Sequence, residues 1–387
     1  MRVLISGGGI AGLTLAFWLK RGGHDPLVVE RSPALRDEGY MIDFFGSGYD
    51  VSERMGILAN LERIHYQIPR LTFVDASGAE KFSIDYPVLR KLFGGRHFNF
   101  MRGDLERVLY SKVKDDVEFR FNTTVESFEQ DTGAVHVKLS DGSTASFDLL
   151  VGADGVHSWV RQLAFGEEGQ FSRFLGCYTA AFIITDPTKS LALPDTLYTL
   201  TVPEKQVGIY PIRGGRLATF FVYRRHQLLN NFSFEMAVRE LRTAYGGLNW
   251  IVPELLERCD RSSMYFDEVS QVEMARWSLG RVTLIGDACH CVSLLAGQGA
   301  SLAMASAYIL ADELAKSRSD VAGALAHYER KLRPKIEKKQ KAGRRLARWF
   351  VPANRVDLAI RDFVMRMAAW PITSHLLRFT FSPESVI

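Results

Sequence analysis

The stretch RVLISGGGIAGLTLAFWLKRGGHDPLVVER, residues 2–31, decides the fold, because it places a glycine-rich turn between an apolar strand and a helix. Its glycines Gly7, Gly9 and Gly12 form a GxGxxG pattern. In such a pattern the first glycine allows a tight turn, the second lets the backbone approach a pyrophosphate, and the third lets the helix pack closely on the strand. A second apolar strand ends at Glu30, whose carboxylate suits a ribose diol. The stretch therefore predicts a βαβ unit that binds a dinucleotide, with NAD and FAD both open.

The composition is that of an ordinary soluble globular protein. The chain has 387 residues, enough for two domains, and 47% of them are hydrophobic while 24% are charged. Its four cysteines lack the spacing of a disulfide framework, which favours a reducing compartment. No apolar run reaches the ~20 residues of a membrane span, and the first residues read as a strand rather than a secretory leader. We therefore expect a cytoplasmic protein with no membrane span and no nucleic acid partner, acting as a monomer or homodimer.

A second glycine-rich stretch, GDACHCVSLLAGQGAS at residues 286–301, combines a carboxylate, two thiols, a histidine and glycines. A metal site is disfavoured because its Cys-x-Cys has no second cysteine pair, and a cysteine–histidine nucleophile is disfavoured because sequence neighbours rarely face one another. The pattern instead indicates a strand that ends at Asp287 and a helix that begins near Gly297, Gly299 and Ala300. We predict that the carboxylate accepts hydrogen bonds from ligand hydroxyls. The helix N-terminus would stabilise a developing negative charge, as reduced flavin requires.

The rest of the chain alternates between helical and strand-like segments, which predicts an α/β fold. Strand-like runs dominate from about residue 171 to 270, and the chain then returns to a buried strand in WSLGRVTLIGD. We expect a discontinuous Rossmann-like domain that binds the dinucleotide, an inserted β-sheet domain that binds substrate, and C-terminal helices. Their predicted ranges are 1–70, 98–170 and 271–325 for the first, 71–97 and 171–270 for the second, and 326–387 for the helices.

Further motifs complete a family resemblance. DGVHSWVR, residues 154–161, lies between the two glycine-rich regions, and MRGDL contains Arg102. Together with GGGIAG and GDACH…AGQG, these motifs resemble those of the class A FAD-dependent aromatic hydroxylases, the para-hydroxybenzoate hydroxylase group, and are similar in detail to the tetracycline destructase type. The resemblance implies a GR2-type FAD-binding fold and a contact between Arg161 and NAD(P)H. The FAD contacts that it implies are Gly7, Gly9, Ala11, Gly12, Glu30, Arg31, Arg102, Asp154, Asp287, Gly297, Gly299 and Ala300.

The resemblance also implies a reaction. In that family NADPH or NADH reduces FAD, O2 adds to form a C4a-hydroperoxyflavin, and one oxygen atom is transferred to an electron-rich ring. The chain is then expected to be an NAD(P)H-consuming monooxygenase that hydroxylates an aromatic or polycyclic phenolic small molecule, a tetracycline-type antibiotic being one version. Tyr210 and Arg213, in the strand-like stretch QVGIYPIR, are candidate substrate contacts. No catalytic acid or base is assigned.

Two other functions stay open at this stage. A flavin-dependent halogenase shares the fold but typically carries a Trp-x-Trp-x-Ile-Pro element, whose tryptophans VGIYPIRGG lacks. A non-catalytic FAD-binding protein is favoured by Leu294, which stands where the family commonly has a proline near the flavin. Ser301 likewise stands where the family commonly has an asparagine. Measuring NAD(P)H oxidation and product mass separates these alternatives.

Overall fold

The computed structural model describes residues 1–35, 40–92, 94–185, 193, 196–229, 233–259, 264–317, 320–369 and 385–387. The strands are β1 (Arg2–Ser6), β2 (Asp25–Glu30), β3 (Met41–Phe45), β4 (Arg70–Val74), β5 (Glu80–Asp85), β6 (His97–Met101), β7 (Glu118–Phe121), β8 (Val125–Gln130), β9 (Val135–Leu139), β10 (Thr144–Phe147), β11 (Leu149–Gly152), β12 (Ser172–Thr185), β13 (Leu197–Val202), β14 (Lys205–Ile212), β15 (Arg216–Arg224), β16 (Tyr265–Val272), β17 (Ser278–Leu279) and β18 (Val282–Leu284). The α-helices are α1 (Ile10–Arg21), α2 (Ser47–Met55), α3 (Leu58–Ile64), α4 (Tyr86–Leu92), α5 (Arg102–Ser111), α6 (Trp159–Phe165), α7 (Phe234–Tyr245), α8 (Val252–Glu257), α9 (Asp287–His290), α10 (Gly299–Lys316), α11 (Val321–Phe350) and α12 (Arg355–Ala369). Short 3-10 turns cover Glu168–Gln170 and Leu294–Ala296.

The first sheet has the strand order β17-β18-β11-β1-β2-β7. All neighbours pair in parallel except the edge strand β17. Strand β1 is fully buried at Val3, Leu4 and Ile5, as expected for a parallel strand with both faces covered. Because β1 has β2 on one side and β11 on the other, its carboxyl end is the point where the strand order reverses and where ligands of such sheets bind. The α/β fold class predicted from the sequence is confirmed.

The second large sheet has the order β16-β12-β15-β14-β13-β4-β5. Its strands come from two separate segments of the chain, 70–85 and 172–272, with most pairs antiparallel and β13 parallel to β4. A small antiparallel pair, β3 with β6, lies between this sheet and the first one. The division of the chain into the domain ranges given above stays a prediction.

The second sheet has two differently covered faces. Tyr178, Phe221 and other alternate residues pack under α7 and α8. The opposite face carries Tyr210 and Ala218, which pack against Met101 at the end of β6. We call this second side the cleft face, because it looks toward the carboxyl ends of the first sheet's strands.

The C-terminal helices lie across both sheets. Pro334 lies inside the helix α11, which continues from Val321 to Phe350. On α12 the buried pair Arg361 and Asp362 anchors the helix, since Arg361 donates to Thr201 Oγ1 over 3.0 Å and Asp362 pairs with Lys81. Within the part of the chain that the structure describes, no helix is both long enough and apolar enough to cross a membrane.

Candidate functional site

The turn between β1 and α1 accepts only glycine at two positions. Gly7 has φ +113°, and a Cβ built on it would lie 2.5 Å from the carbonyl oxygen of Ala153. A Cβ built on Gly12 would lie 2.0 Å from the carbonyl oxygen of Gly7. The turn therefore has the close helix–strand packing that the GxGxxG pattern predicts.

The N-terminus of α1 offers backbone donors beside a carboxylate. Gly9 precedes the helix and has no side chain to cap it, so the first N–H groups of α1 point into the crevice. Glu30 follows at the end of β2, where its Oε2 accepts a hydrogen bond of 2.8 Å from the backbone N–H of Gly8 and its Oε1 accepts one of 2.9 Å from that of Ser32. Arg31 is exposed next to it. This arrangement suits a pyrophosphate and an adjacent ribose.

The second glycine-rich stretch reaches the same crevice. Gly286 has φ +62°, and a Cβ built on it would lie 3.1 Å from the Cβ of Ala11 in α1. Asp287 follows directly, and a Cβ on Gly299 would lie 3.9 Å from its Oδ1 atom. The two glycine turns, nearly three hundred residues apart in sequence, therefore meet at the carboxyl ends of β1 and β18.

The N-terminus of α10 lies beside the Asp287 carboxylate. Gly297, with φ +64°, ends the preceding 3-10 turn, and α10 begins at Gly299. The side chain before the helix, Gln298, accepts a hydrogen bond of 2.7 Å from Lys339, which leaves the N–H groups of Gly299 and Ala300 for a ligand. Burial raises the pKa of Asp287, and the Arg102 guanidinium opposes part of that rise.

Arg102 joins the first glycine turn to the cleft. Its Nη2 atom lies 2.8 Å from Glu106 Oε1 and would lie 3.7 Å from a Cβ on Gly9. Its side chain is 35% exposed, so the guanidinium is open to a ligand on one side. It stands at the start of α5, directly after β6 of the small sheet.

Aromatic rings form the opposite wall of the cleft. The Tyr40 ring lies 5.7 Å from the Tyr265 ring and 5.9 Å from the Phe220 ring, measured between centroids. Burial raises the pKa of Tyr40, and Arg102 opposes that effect, so the hydroxyl stays protonated. These rings were missed in the sequence, because they come from three distant segments and belong to no local motif.

The stretch after β11 is held by its own side chains. Asp154 accepts hydrogen bonds from the Ser158 hydroxyl and, over 3.0 Å, from the backbone N–H of Val160. Arg161 is fully buried and donates to backbone carbonyl oxygens, including that of Ala288 at 2.9 Å. This geometry gives Arg161 a structural role, and its predicted contact with NAD(P)H stays untested.

The two candidate substrate residues point to different roles. The Tyr210 hydroxyl lies on the cleft face and accepts a hydrogen bond of 2.6 Å from the backbone N–H of Met41, so it fixes β3 against the sheet. Arg213 donates to the carbonyl oxygens of Ile64 at 3.1 Å and His65 at 2.8 Å, and it stacks on Tyr66. It therefore caps the C-terminus of α3, and its predicted contact with the substrate stays a prediction.

The thiols and the histidine of the GDACHC stretch pack into the core. Cys289 donates to the carbonyl oxygen of Leu284 at 3.3 Å, and Cys291 donates to that of Ser270 at 3.7 Å. The His290 ring packs on Trp277, and burial lowers its pKa to about 4. Among the described residues no group of three or more metal-ligating side chains comes together.

Leu294 and Ser301, the two residues that depart from the family pattern, both lie close to the start of α10. Ser301 donates to the carbonyl oxygen of Phe45 over 2.8 Å, which ties α10 to β3. Leu294 begins the 3-10 turn that leads to Gly297. Neither side chain caps the N–H groups at the start of α10.

The donors of this crevice fit FAD at both ends. The open α1 terminus and Glu30 fit the ADP half, while Asp287, Arg102 and the start of α10 fit a hydroxylated chain that ends in a polarisable ring. Residues 1–340 match the family described as FAD binding domain. The chain belongs to this family.

Known proteins agree with that assignment over nearly the whole chain. A flavin-dependent monooxygenase of Legionella longbeachae serogroup 1 (strain NSW150) is 31% identical over 368 residues, which cover 94% of this chain and 92% of the relative. The crystal structure of tetracycline destructase Tet(51) matches with a TM-score of 0.82 at 31% identity, covering 94% of this chain and 95% of that one. Klebsiella pneumoniae HpxO complexed with FAD and uric acid matches with a TM-score of 0.81 at 25% identity, covering 99% and 97%.

The chain is therefore a flavin-dependent monooxygenase of the aromatic hydroxylase type, with FAD as its cofactor. The family resemblance stated from the sequence is confirmed, as is the assignment as an enzyme. This sets aside the halogenase and the non-catalytic protein. The contacts of individual residues with FAD stay predictions.

Proposed function

We propose that this monooxygenase hydroxylates an aromatic or polycyclic phenolic small molecule and consumes NADH or NADPH together with O2. The observation that supports the proposal is the aromatic wall of Tyr40, Phe220 and Tyr265, in which Tyr40 is near enough to interact electrostatically with Arg102 and Asp287. Flat rings stack favourably on such a wall, with ring centroids about 4.5–7 Å apart. FAD, when bound, accepts the hydride and activates oxygen, whereas the protein positions the ring and excludes water.

The residues around the crevice have separate binding roles in this proposal. The α1 terminus holds the pyrophosphate, Glu30 accepts from the adenosine ribose, and Asp287 accepts from the ribityl hydroxyls. The N–H groups at the start of α10 stabilise negative charge on the flavin ring. The full set proposed to contact FAD is Gly7, Gly9, Ala11, Gly12, Glu30, Arg31, Arg102, Asp154, Asp287, Gly297, Gly299 and Ala300.

The test measures oxidation of NADPH and of NADH by the FAD-loaded enzyme, with and without a panel of phenols, together with the mass of the product. We expect one phenol to stimulate oxidation and to gain one oxygen atom. A product that forms only with halide, or no stimulation by any phenol, contradicts the proposal. Tetracycline belongs in the panel, because the match to Tet(51) covers nearly the whole of both chains.

A variant of Asp287 tests the cofactor side of the proposal. Replacing Asp287 by Ala removes charge-assisted hydrogen bonds, so we expect FAD affinity to fall about tenfold or more. The control is Asp312→Ala, which removes a carboxylate that pairs with Lys316 near the other end of α10. Equal FAD affinity in the two variants would exclude the assigned role of Asp287.

A further inference from the structure

A chain of hydrogen bonds runs from the cleft wall to the protein surface. The Tyr265 hydroxyl lies 3.2 Å from Oδ2 of Asp267, two residues further along β16. Side chains two residues apart on a strand share one face, so both project from the cleft face. The Asp267 carboxylate also accepts a hydrogen bond of 2.8 Å from the backbone N–H of Glu268, through Oδ1.

His157 stands behind this carboxylate. Its Nε2 atom lies 3.1 Å from both oxygens of Asp267, and its Nδ1 atom lies 2.7 Å from Oε1 of Glu168. A carboxylate only accepts hydrogen bonds, so both ring nitrogens of His157 must donate, which requires the imidazolium form. The hydrogen bonds to Asp267 and Glu168 accordingly raise the pKa of His157 to about 10.

This order of charges fixes the direction of the Tyr265 hydrogen bond. Asp267 is an anion flanked by a cation, so it accepts and cannot donate. The hydroxyl hydrogen of Tyr265 is therefore directed at Asp267. The oxygen of Tyr265 then presents lone pairs, and no hydrogen, to the cleft.

The hydroxyl oxygen of Tyr265 lies where a substrate ring in the cleft would contact it. It is half-buried, and its ring lies 5.7 Å from the ring of Tyr40. Arg102 is near enough to oppose the rise in pKa that burial imposes on Tyr265. A molecule that stacks on the aromatic wall therefore lies beside the Tyr265 oxygen.

We propose that Tyr265, oriented by Asp267 and His157, selects for ligands that carry a phenolic hydroxyl, because its oxygen accepts a hydrogen bond in the cleft and does not donate one. The proposal rests on the proposed function, which it deepens by assigning the residue that recognises the phenol. A phenol donates its hydrogen to Tyr265. The matching methyl ether brings a second set of lone pairs against the same oxygen and is disfavoured.

The test compares binding of 1-naphthol and 1-methoxynaphthalene to the oxidised, FAD-loaded enzyme without NAD(P)H, followed by the change in flavin absorbance. We expect the wild-type enzyme to bind the naphthol about tenfold more tightly than the ether, the cost of one mismatched polar contact. In Tyr265→Phe the affinity ratio should approach one, because the ring remains and the acceptor is gone.

Asp267→Asn tests the orientation of the hydrogen bond. Nε2 of His157 is equally distant from both oxygens of Asp267, but the backbone N–H of Glu268 donates only to Oδ1. The amide oxygen of the asparagine therefore takes the Oδ1 position, and its NH2 group faces Tyr265. The amide then donates to Tyr265, whose hydroxyl hydrogen turns toward the cleft. We expect the ether to gain affinity and the ratio to fall. The matched control is Tyr178→Phe, which removes a hydroxyl on the opposite face of the same sheet and should leave the ratio unchanged.

The possible outcomes distinguish the role of Tyr265 from the proposed function. Equal wild-type affinities, binding of neither ligand, or an unchanged ratio in Tyr265→Phe overturns the role of Tyr265. Because no turnover is measured, this result is independent of product analysis: an enzyme that hydroxylates phenols without favouring the naphthol refutes the role of Tyr265 alone. Discrimination between the ligands without any oxygenated product refutes the proposed function instead.

Discussion

The Nη1 atom of Arg161 lies 2.9 Å from the carbonyl oxygen of Ala288, and its Nη2 atom lies 2.8 Å from that of Val156. The guanidinium is fully buried, so one side chain joins the loop after β11 to the helix turn after β18. Both loops carry a residue predicted to contact FAD, Asp154 in the first and Asp287 in the second. Arg161 thus holds these two loops together, and its predicted contact with NAD(P)H stays a prediction.

Replacing Arg161 by Leu should therefore act on stability. The buried carbonyl oxygen of Ala288 and the partly buried one of Val156 lose their donor, so we expect the free energy of unfolding to fall by about 3 kcal/mol. The measurement is urea denaturation of the FAD-loaded enzyme. Arg173→Leu serves as the control, since Arg173 is exposed and lies 3.5 Å from Glu273. A higher KM for NAD(P)H with unchanged stability would instead support the contact predicted from the sequence.

The contact between Gly286 and Ala11 leads to a second prediction. An alanine at Gly286 is strained by φ +62° and brings its Cβ to 3.1 Å from that of Ala11, which forces α1 away from the turn after β18. Gly23 also has a positive φ, +76°, but no described atom lies within 4 Å of its Cβ position. Gly286 also has ψ −144°, a combination almost confined to glycine, so its alanine variant should lose about 1–3 kcal/mol of stability, whereas Gly23→Ala should lose about 1 kcal/mol.

Only Gly286→Ala should also weaken FAD binding, because only that change separates the two glycine turns. Titration of the apoprotein with FAD, followed by quenching of flavin fluorescence, measures the difference. Equal FAD affinities in Gly286→Ala and Gly23→Ala would show that the spacing between α1 and this turn does not control the cofactor site.

The parts of the site that could be predicted from sequence are those fixed by local geometry. Gly7 and Gly12 are required by contacts within one βαβ unit, and that unit spans about thirty residues. Asp287 follows a short buried strand and precedes a glycine-rich helix start, so its place at the sheet edge could be inferred from neighbouring residues alone.

The cleft wall could not be predicted, because it depends on packing between distant segments. Tyr40 and Tyr265 are 225 residues apart and meet only after the second sheet docks on the first. His157 lies inside a recognised motif, yet its partner Asp267 belongs to another sheet. For Arg213 the strand could be recognised from the sequence, but the carbonyl groups that its side chain binds come from α3 and could not.

Arg213→Ala tests that last assignment. The side chain donates to carbonyl oxygens at the C-terminus of α3, where a positive charge also favours the helix dipole, so we expect a stability loss of about 1 kcal/mol. Binding of an aromatic ligand, measured by flavin absorbance, should stay unchanged. Arg120→Ala, which removes a partly exposed strand arginine paired with Glu118, is the control. Loss of ligand affinity without loss of stability would instead support the substrate contact predicted for Arg213.

His157 gives the enzyme a defined pH dependence of stability. The pKa of this histidine rises from 6.5 to about 10 in the folded protein through its hydrogen bonds to Asp267 and Glu168. A raised folded-state pKa means that the imidazolium contributes its full stability below pH about 6.5, and that this contribution is lost as pH rises toward 10. The side chain is 44% exposed, so solvent screening reduces the size of the effect.

The measurement is the difference in free energy of unfolding between the wild-type enzyme and His157→Gln, taken at several pH values from 6 to 10.5 by urea denaturation. Glutamine keeps a hydrogen-bonding side chain but does not titrate in this range. We expect the difference to be largest near pH 6 and to shrink steadily toward pH 10. A difference that stays constant with pH would mean that His157 is neutral in the folded enzyme, and Asp267 would then lose the cation that fixes the Tyr265 hydrogen bond.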